Sequence, residues 1–355
     1  MATDSPRRVA RPRSGRRREA SRGEASRGEA SIKREAASQN GERTRERLIH
    51  WAYLAAERVI GAVPRSIVLP LAAAAGNAAF DVSRPKVEIV CDNLSRPMGL
   101  PADHPRVRQA ARRAFRSYGK YLADVMRMPA LTPDVVDRLV TIDNIESLYE
   151  ARSDGSGVLV CTVHIGGMDL IGPAMLRHGE SLHVVADDTT YGSLYEHLKA
   201  VRAEHGLLLI GWRNMRGIFR VLRDRGSVVL FCDVGFRRGD VPVEFLGEPT
   251  TFPPGPATLS ARTGAPILPV YCQRTPEDRF RARGLPTIRC SSAEPAEVYR
   301  ATQALADELG EVIREDPSQW YMFRPIWPQT DTERRWARGA LDAARRGQNW
   351  GASPA

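Results

Sequence analysis

The chain has 355 residues, 42% hydrophobic and 26% charged, with a formal net charge of +10. That length exceeds a peptide-scale scaffold, and the balance is that of a globular protein rather than a wholly disordered, collagen-like or many-helix membrane chain. The charge is uneven: residues 1–47 hold 14 Lys and Arg against 7 Asp and Glu, leaving 38 against 35 for the rest.

Residues 1–47 are rich in Arg, Ser, Gly, Glu and Ala, contain the repeat EASRGEASRGEAS, and have no aromatic residue. They cannot bury enough apolar surface to offset the entropy of ordering, so a disordered basic tail is expected. Such a tail suits anionic lipid or nucleic acid, and equally a solvated end with no partner. A folded region is then expected over 48–330, helical through 130 and α/β from 131, followed by a C-terminal helix and frayed end over 331–355. Between Leu48 and Phe80 the chain is strongly apolar, with Trp51 and Tyr53 early and Pro64 and Pro70 as breaks. Two readings stand: a helix pair lying in a membrane interface, or ordinary core packing. The longest charge-free window there, Ser66 to Phe80, is short of the roughly 20 residues a span requires. No apolar stretch follows the N-terminal charges, so no cleavable secretion signal is expected.

His104 to Arg127 reads as an amphipathic helix, with Val107, Ala111, Phe115, Tyr118, Leu122 and Val125 three and four residues apart. Beyond Pro129 the pattern changes to short, wholly apolar runs at 157–163, 182–186, 206–210, 226–232 and 265–272, separated by helical stretches at 168–177, 193–205 and 215–225. Apolar strands alternating with helices predict an α/β fold with a mostly parallel central sheet flanked by helices. A last strong helix is expected from Ala296 to Arg314. The five cysteines are odd in number, lack C-x-x-C spacing and sit largely in apolar runs, as expected of buried thiols in a reducing cytosol.

Chemistry is first narrowed by what is missing. The sequence has no G-x-S-x-G elbow, no phosphate-binding P-loop, no G-x-G-x-x-G after a strand and no metal-type His or Cys pattern. The positive signal is at the end of the first strong strand, where VLVCTV runs into His164-Ile-Gly-Gly-Met-Asp169. Ligands of open α/β sheets bind outside the carboxyl ends of strands. A histidine there, followed by Gly166 and Gly167 and a carboxylate five residues on, suits an Asp–imidazole pair in which one ring nitrogen is held and the other takes a proton. A hydrogen-bonded helix-cap histidine, with Asp169 as a first-turn acid, fits the same spacing.

The run VHIGGMDLIGP resembles the His-x-x-x-x-Asp/Glu motif of the lysophospholipid acyltransferase superfamily. Three further stretches, WRNMRGIFRVLRDRGSVVLFCDVGF, FLGEPTTFPPGPATLSARTGAPILPVY and DPSQWYMFRPIWP, follow in the order and spacing of its lipid A biosynthesis branch. The resemblance covers roughly Arg47 to Pro328. It implies a peripheral enzyme at the cytoplasmic face of the cell membrane that moves a fatty acyl chain from acyl-CoA or acyl-carrier protein to a hydroxyl of a membrane glycolipid. No cofactor beyond the donor is implied and no nucleic-acid partner is expected. His164 would be the general base, with Asp169 orienting it and no acyl-enzyme. Backbone N–H groups near Gly166 and Gly167 would receive the oxyanion. Arg213 and Arg216, and with them Arg237 and Arg238, would hold a phosphate of acceptor or donor, and Asp233, Trp320 and Arg324 also match the pattern. Asp169, where lipid A enzymes usually carry Glu, and Glu248 in FLGEPT favour a phosphatidylinositol mannoside over lipid A as acceptor. A lysophosphatidic acid acyltransferase fits less well, because FLGEPTT stands where F-P-E-G-T-R is expected. A non-catalytic module binding nucleic acid or an acidic partner through the tail lacks the interleaved aromatics such a face uses.

Overall fold

The structure, a computed structural model, describes residues 47–186 and 192–350. The expected tail, apart from Arg47, and the frayed end beyond residue 350 lie outside them. The described residues divide into two units, 47–54 and 55–350. In the first, the described residues 47–54 are helical, with Leu48 and Trp51 exposed.

The second unit opens with helix α1 (55–62), followed by α2 (Arg65–Val82), α3 (Arg84–Met98) and α4 (Pro105–Met126). Pro64 and the Arg84-Pro85 step set the breaks, since proline starts a helix well and continues one badly. α2 and α4 approach so closely that a Cβ on Gly76 would lie 2.3 Å from the Phe115 carbonyl oxygen, and one on Gly119 would lie 2.3 Å from that of Ala72. One stripe of α2, including Val68, Leu69, Ala73 and Phe80, is therefore buried, while Ile67 and Leu71 stay exposed. Among the described residues no single helix is long and apolar enough to cross a membrane. α2 and α3 pass that test only as a pair bent by 99°.

The α/β part follows as α5 (Pro133–Leu139), β1 (Val140–Ile142), α6 (Glu146–Ala151), β2 (Val158–Thr162), α7 (Ile171–Arg177), β3 (Leu182–Ala186), α8 (Gly192–Glu204), β4 (Leu207–Gly211), α9 (Met215–Arg223) and β5 (Ser227–Phe231). A two-stranded hairpin, β6 (Val241–Phe245) and β7 (Glu248–Phe252), comes next. The remainder is α10 (Gly255–Thr263), β8 (Ile267–Arg274), β9 (Phe280–Gly284), α11 (Pro295–Glu315) and α12 (Asp331–Arg345). The seven-stranded sheet has the order β1-β9-β8-β2-β5-β3-β4. Its five parallel strands, β8, β2, β5, β3 and β4, are the five apolar runs read from the sequence. β9 joins β8 antiparallel and β1 beside β9 parallel. Neither was expected, because FRARG alternates and carries two arginines, a pattern suited to a sheet margin.

Successive strand residues face opposite ways. Leu159, Cys161, Val163, Val228 and Ile267 pack on one face against α3, α4, α9, α10 and α11. Val158, Val160, Val229, Leu182 and Leu207 face the other side, with Val125 of α4, Met175 of α7 and Val201 of α8. This second face is not filled along its length: the carboxyl-terminal residues of β3, β4 and β5 are half-buried, where fully buried strands were expected.

Candidate active site

His164 leaves the carboxyl end of β2, and Asp233 leaves that of β5 beside it. The register pairs Thr162 with Phe231, so both residues emerge two positions beyond the same level of adjacent strands. Asp233 is fully buried and makes three bonds. Its Oδ1 meets His164 Nδ1 at 2.8 Å, and its Oδ2 accepts from the His164 backbone N–H at 2.9 Å and from the Trp320 indole at 2.8 Å. The His164 side chain is 39% exposed, stacks on Phe231 at 4.4 Å between centroids, and lines a cavity. Burial alone would lower the ring's pKa, but the Asp233 charge and hydrogen bond outweigh it, and the pKa is raised. Asp233 is the converse: burial would raise it, while His164 and Trp320 hold it below the usual carboxylate range.

Asp169, expected to orient the imidazole, does not bond to it. Its Oδ1 accepts from Arg202 Nε of α8 at 2.7 Å and its Oδ2 from the Tyr121 hydroxyl of α4. Burial would raise the Asp169 carboxyl, but Arg202 and Tyr121 keep it low and ionised. It favours His164 protonation only through space. The motif's second residue thus ties the histidine loop to two helices, and the imidazole's partner comes from another strand. Neither Tyr121 nor Arg202 carries a sequence signal that would have identified it.

The glycines serve close packing. Gly166 adopts φ +58, and a Cβ there would lie 2.0 Å from the Cys272 carbonyl oxygen; one on Gly167 would lie 2.2 Å from the Phe280 ring. Their N–H groups already donate to the Gln319 and Cys272 carbonyls at 3.1 and 2.8 Å, so they are not the expected oxyanion donors. Behind them, Arg274 covers Phe280 at 4.5 Å and shares buried Asp124 with Arg65, each at 2.7 Å. The DPSQW stretch completes the loop. Tyr321 N–H donates to the His164 carbonyl at 2.7 Å, and Gln319 Oε1 accepts from the Arg274 backbone N–H at 2.7 Å.

The cavity has a volume of about 700 Å³, within the range of small-molecule sites. Its floor is the hollow sheet face: Val160, Val184, Leu207, Leu209, Val229 and Val270. His164, Asp169, Arg202, Arg237, Arg324 and Trp212 stand in its walls. Arg324 is near enough to oppose protonation of His164, and buried Asn93 of α3 fixes its backbone by donating to the Met322 and Arg324 carbonyls, both at 2.9 Å. Neither Arg237 nor Arg324 forms an ion pair among the described residues. Cys272, also in the wall, is pushed up to about 12 by burial and is a neutral thiol.

Four expected binding residues are elsewhere. Glu248 is exposed at the first position of β7, opposite Phe245 in the hairpin and outside the cavity. Arg216 points into a separate groove with Gly155, Ser156 and Arg220. Arg213 is exposed at the mouth, its guanidinium 4.8 Å over the Trp212 ring rather than in the cavity wall. Arg238 likewise does not line the cavity.

Residues 38–329 match the sequence profile of the bacterial lipid A biosynthesis acyltransferases. Among curated proteins, the chain is 30% identical over 290 residues to the phosphatidylinositol mannoside acyltransferase of Mycobacterium tuberculosis (strain ATCC 25618 / H37Rv), covering 78% of this chain and 88% of that protein. It is 30% identical over 292 residues to the protein of the same name from Mycolicibacterium smegmatis, covering 81% and 93%. A histidine held by a buried carboxylate over an apolar cavity, inside a match that spans most of the chain, leads to one assignment: the chain belongs to the bacterial lipid A biosynthesis acyltransferase family and is an acyltransferase.

Proposed function

We propose that this acyltransferase transfers a fatty acyl group from a thioester to a hydroxyl of a phosphatidylinositol mannoside, with His164 as general base and Asp233 as the carboxylate that orients it. The observation that carries the mechanism is the His164–Asp233 bond at the cavity rim. With Nδ1 bonded to Asp233, Nε2 is left to take the proton of the acceptor hydroxyl as its oxygen attacks the thioester carbonyl. The carbon–sulfur bond then breaks, and the imidazolium returns the proton to the leaving thiolate. The neutral Cys272 thiol is a poor nucleophile, which supports direct transfer without an acyl-enzyme. Arg324 and Arg237 are the cationic groups placed to meet the developing oxyanion or a phosphate. The apolar floor takes the acyl chain, at about 0.8 kcal/mol for each methylene buried. The acceptor class rests on the two relatives' names. Exposed Val59, Ile67 and Leu71 on α1 and α2 support peripheral attachment to a cytoplasmic membrane face.

The test is transfer of radiolabelled palmitate from palmitoyl-CoA to a purified phosphatidylinositol mannoside. His164→Ala is expected to lose about 10²–10⁴-fold in rate. A variant that retains wild-type rate removes His164 as the base, and wild-type transfer to lipid A but not to the mannolipid removes the proposed acceptor. Sedimentation with anionic vesicles tests attachment: Ile67→Asp with Leu71→Asp is expected to release the protein.

A further inference from the structure

A second cavity lies on the far side of the histidine loop. The 3₁₀ turn Met168–Leu170 separates the two: Met168 and Asp169 line the His164 cavity, whereas Leu170 lines a pocket of about 270 Å³ that shares no lining residue with it among the described residues. This pocket sits at the corner where α1 gives way to α2, against the end of α4 and one side of α5. Its polar wall is Arg65, Arg127, Arg138 and Asp124, and its apolar wall includes Leu131, Val135 and Leu139. Three guanidiniums therefore face one carboxylate, and that carboxylate is already engaged. Asp124 accepts from Arg65 Nε at 2.7 Å and Nη2 at 3.0 Å, and from Arg274 Nη2, outside the pocket, at 2.7 Å. Arg127 Nη1 donates to the Ile60 and Val63 carbonyls, which are neutral acceptors. Neither Arg127 nor Arg138 forms an ion pair among the described residues, and Asp137, next to Arg138, pairs with Arg177 instead, at 3.0 Å. Burial lowers the Arg127 pKa, Asp124 opposes this, and Arg65 lowers it further, as expected where cations outnumber anions.

We infer that this pocket binds a phosphate-type oxyanion that is not the substrate, carried by an anionic phospholipid headgroup or free in solution. Guanidinium forks pair bidentately with phosphate, and cations drawn into a partly buried wall call for a counter-charge that Asp124 alone does not supply. The pocket is smaller than the His164 cavity and takes a phosphate with a few headgroup carbons, not an acyl chain. Arg65 stands two residues before exposed Ile67, on the helices proposed above to meet the membrane, which puts the site within reach of lipid phosphate. An anion held there braces, through Leu170, the turn that carries Asp169 from the side opposite the reaction. The binding needs no acyl transfer, so it stands or falls separately from the function proposed above.

The test is calorimetric titration of the full chain with inorganic phosphate and with dihexanoyl phosphatidylglycerol held below its micelle concentration. The wild type is expected to bind at least one of them, with affinity falling as sodium chloride is added. Arg138→Glu should weaken that binding about tenfold or more, and Arg138→Gln less. Arg138 is exposed, so both variants are expected to fold. Val135→Trp, which fills the pocket, should weaken binding as well, whereas Val184→Trp and Arg324→Gln, both in the His164 cavity, should bind as the wild type does. Tighter binding of the lipid than of phosphate supports the inference with a headgroup as the source, and phosphate binding as tightly or more so supports it with the free ion. A wild-type chain that binds neither probe, binding unchanged in Arg138→Glu, or binding lost in Arg324→Gln overturns it.

Discussion

The two faces of the central sheet are built from the same strands and almost the same residue types, yet one is filled and the other hollow. Leu159 and Ile267 on the filled side are fully buried beneath helices. Val184 and Phe231 on the other side are half-buried because the helices on that side leave a cavity over the carboxyl ends of β3, β4 and β5. Apolar composition therefore reports which residues avoid water, and not whether protein or a substrate chain keeps them from it. The His164–Asp233 pair sits where the two regimes meet: its backbone continues the filled core and its imidazole opens on the hollow.

The largest expected effect tests that meeting point. Asp233→Asn keeps the shape while removing the charge, and activity should fall by about 10²–10⁴-fold. The sign of the accompanying pH shift is fixed. As the proposed base, His164 would act when neutral; its pKa is raised by Asp233, so wild-type activity should decline as pH falls through that raised pKa. Without the carboxylate the ring loses a proton more readily, and the acid limb of the residual activity should move to lower pH. A limb that stays in place separates Asp233 from the base. Next, Leu159→Ala on the filled face should cost about 2–5 kcal/mol in denaturant unfolding, against less than about 1 kcal/mol for Val184→Ala on the hollow face. Equal costs would mean that the cavity is as tightly packed as the core. Val184→Trp should instead fill the hollow: we expect roughly tenfold or greater discrimination against long acyl donors relative to short ones, with unfolding little changed. The smallest effect is expected at Glu248→Gln, within about 0.5 kcal/mol in stability and without change in rate, since that side chain is exposed and away from the cavity.

Much of this fold was legible because five wholly apolar runs became five parallel strands, and α7, α8 and α9 began within three residues of expectation. The hairpin β6–β7 was not, although its Leu246-Gly247 turn, with both φ positive, is a recognisable two-residue connection. At the site, His164 was legible as a polar residue ending a buried strand. Its partner was assigned to Asp169 because spacing along one segment is visible in a sequence and strand order is not. That β2 and β5 are neighbours in the sheet is what places Asp233, 69 residues away, against the ring. The same blindness applied to Gly166 and Gly167, whose N–H groups are engaged by segments more than a hundred residues downstream.

All five cysteines are free and buried, in two different settings. Four lie away from the cavity, whereas Cys272 borders it. The chain thus carries its own labelling clock. Four thiols become alkylated only as the core opens, whereas the fifth is screened by whatever occupies the cavity, so the ratio of their modification rates would separate breathing of the core from occupancy of the cavity.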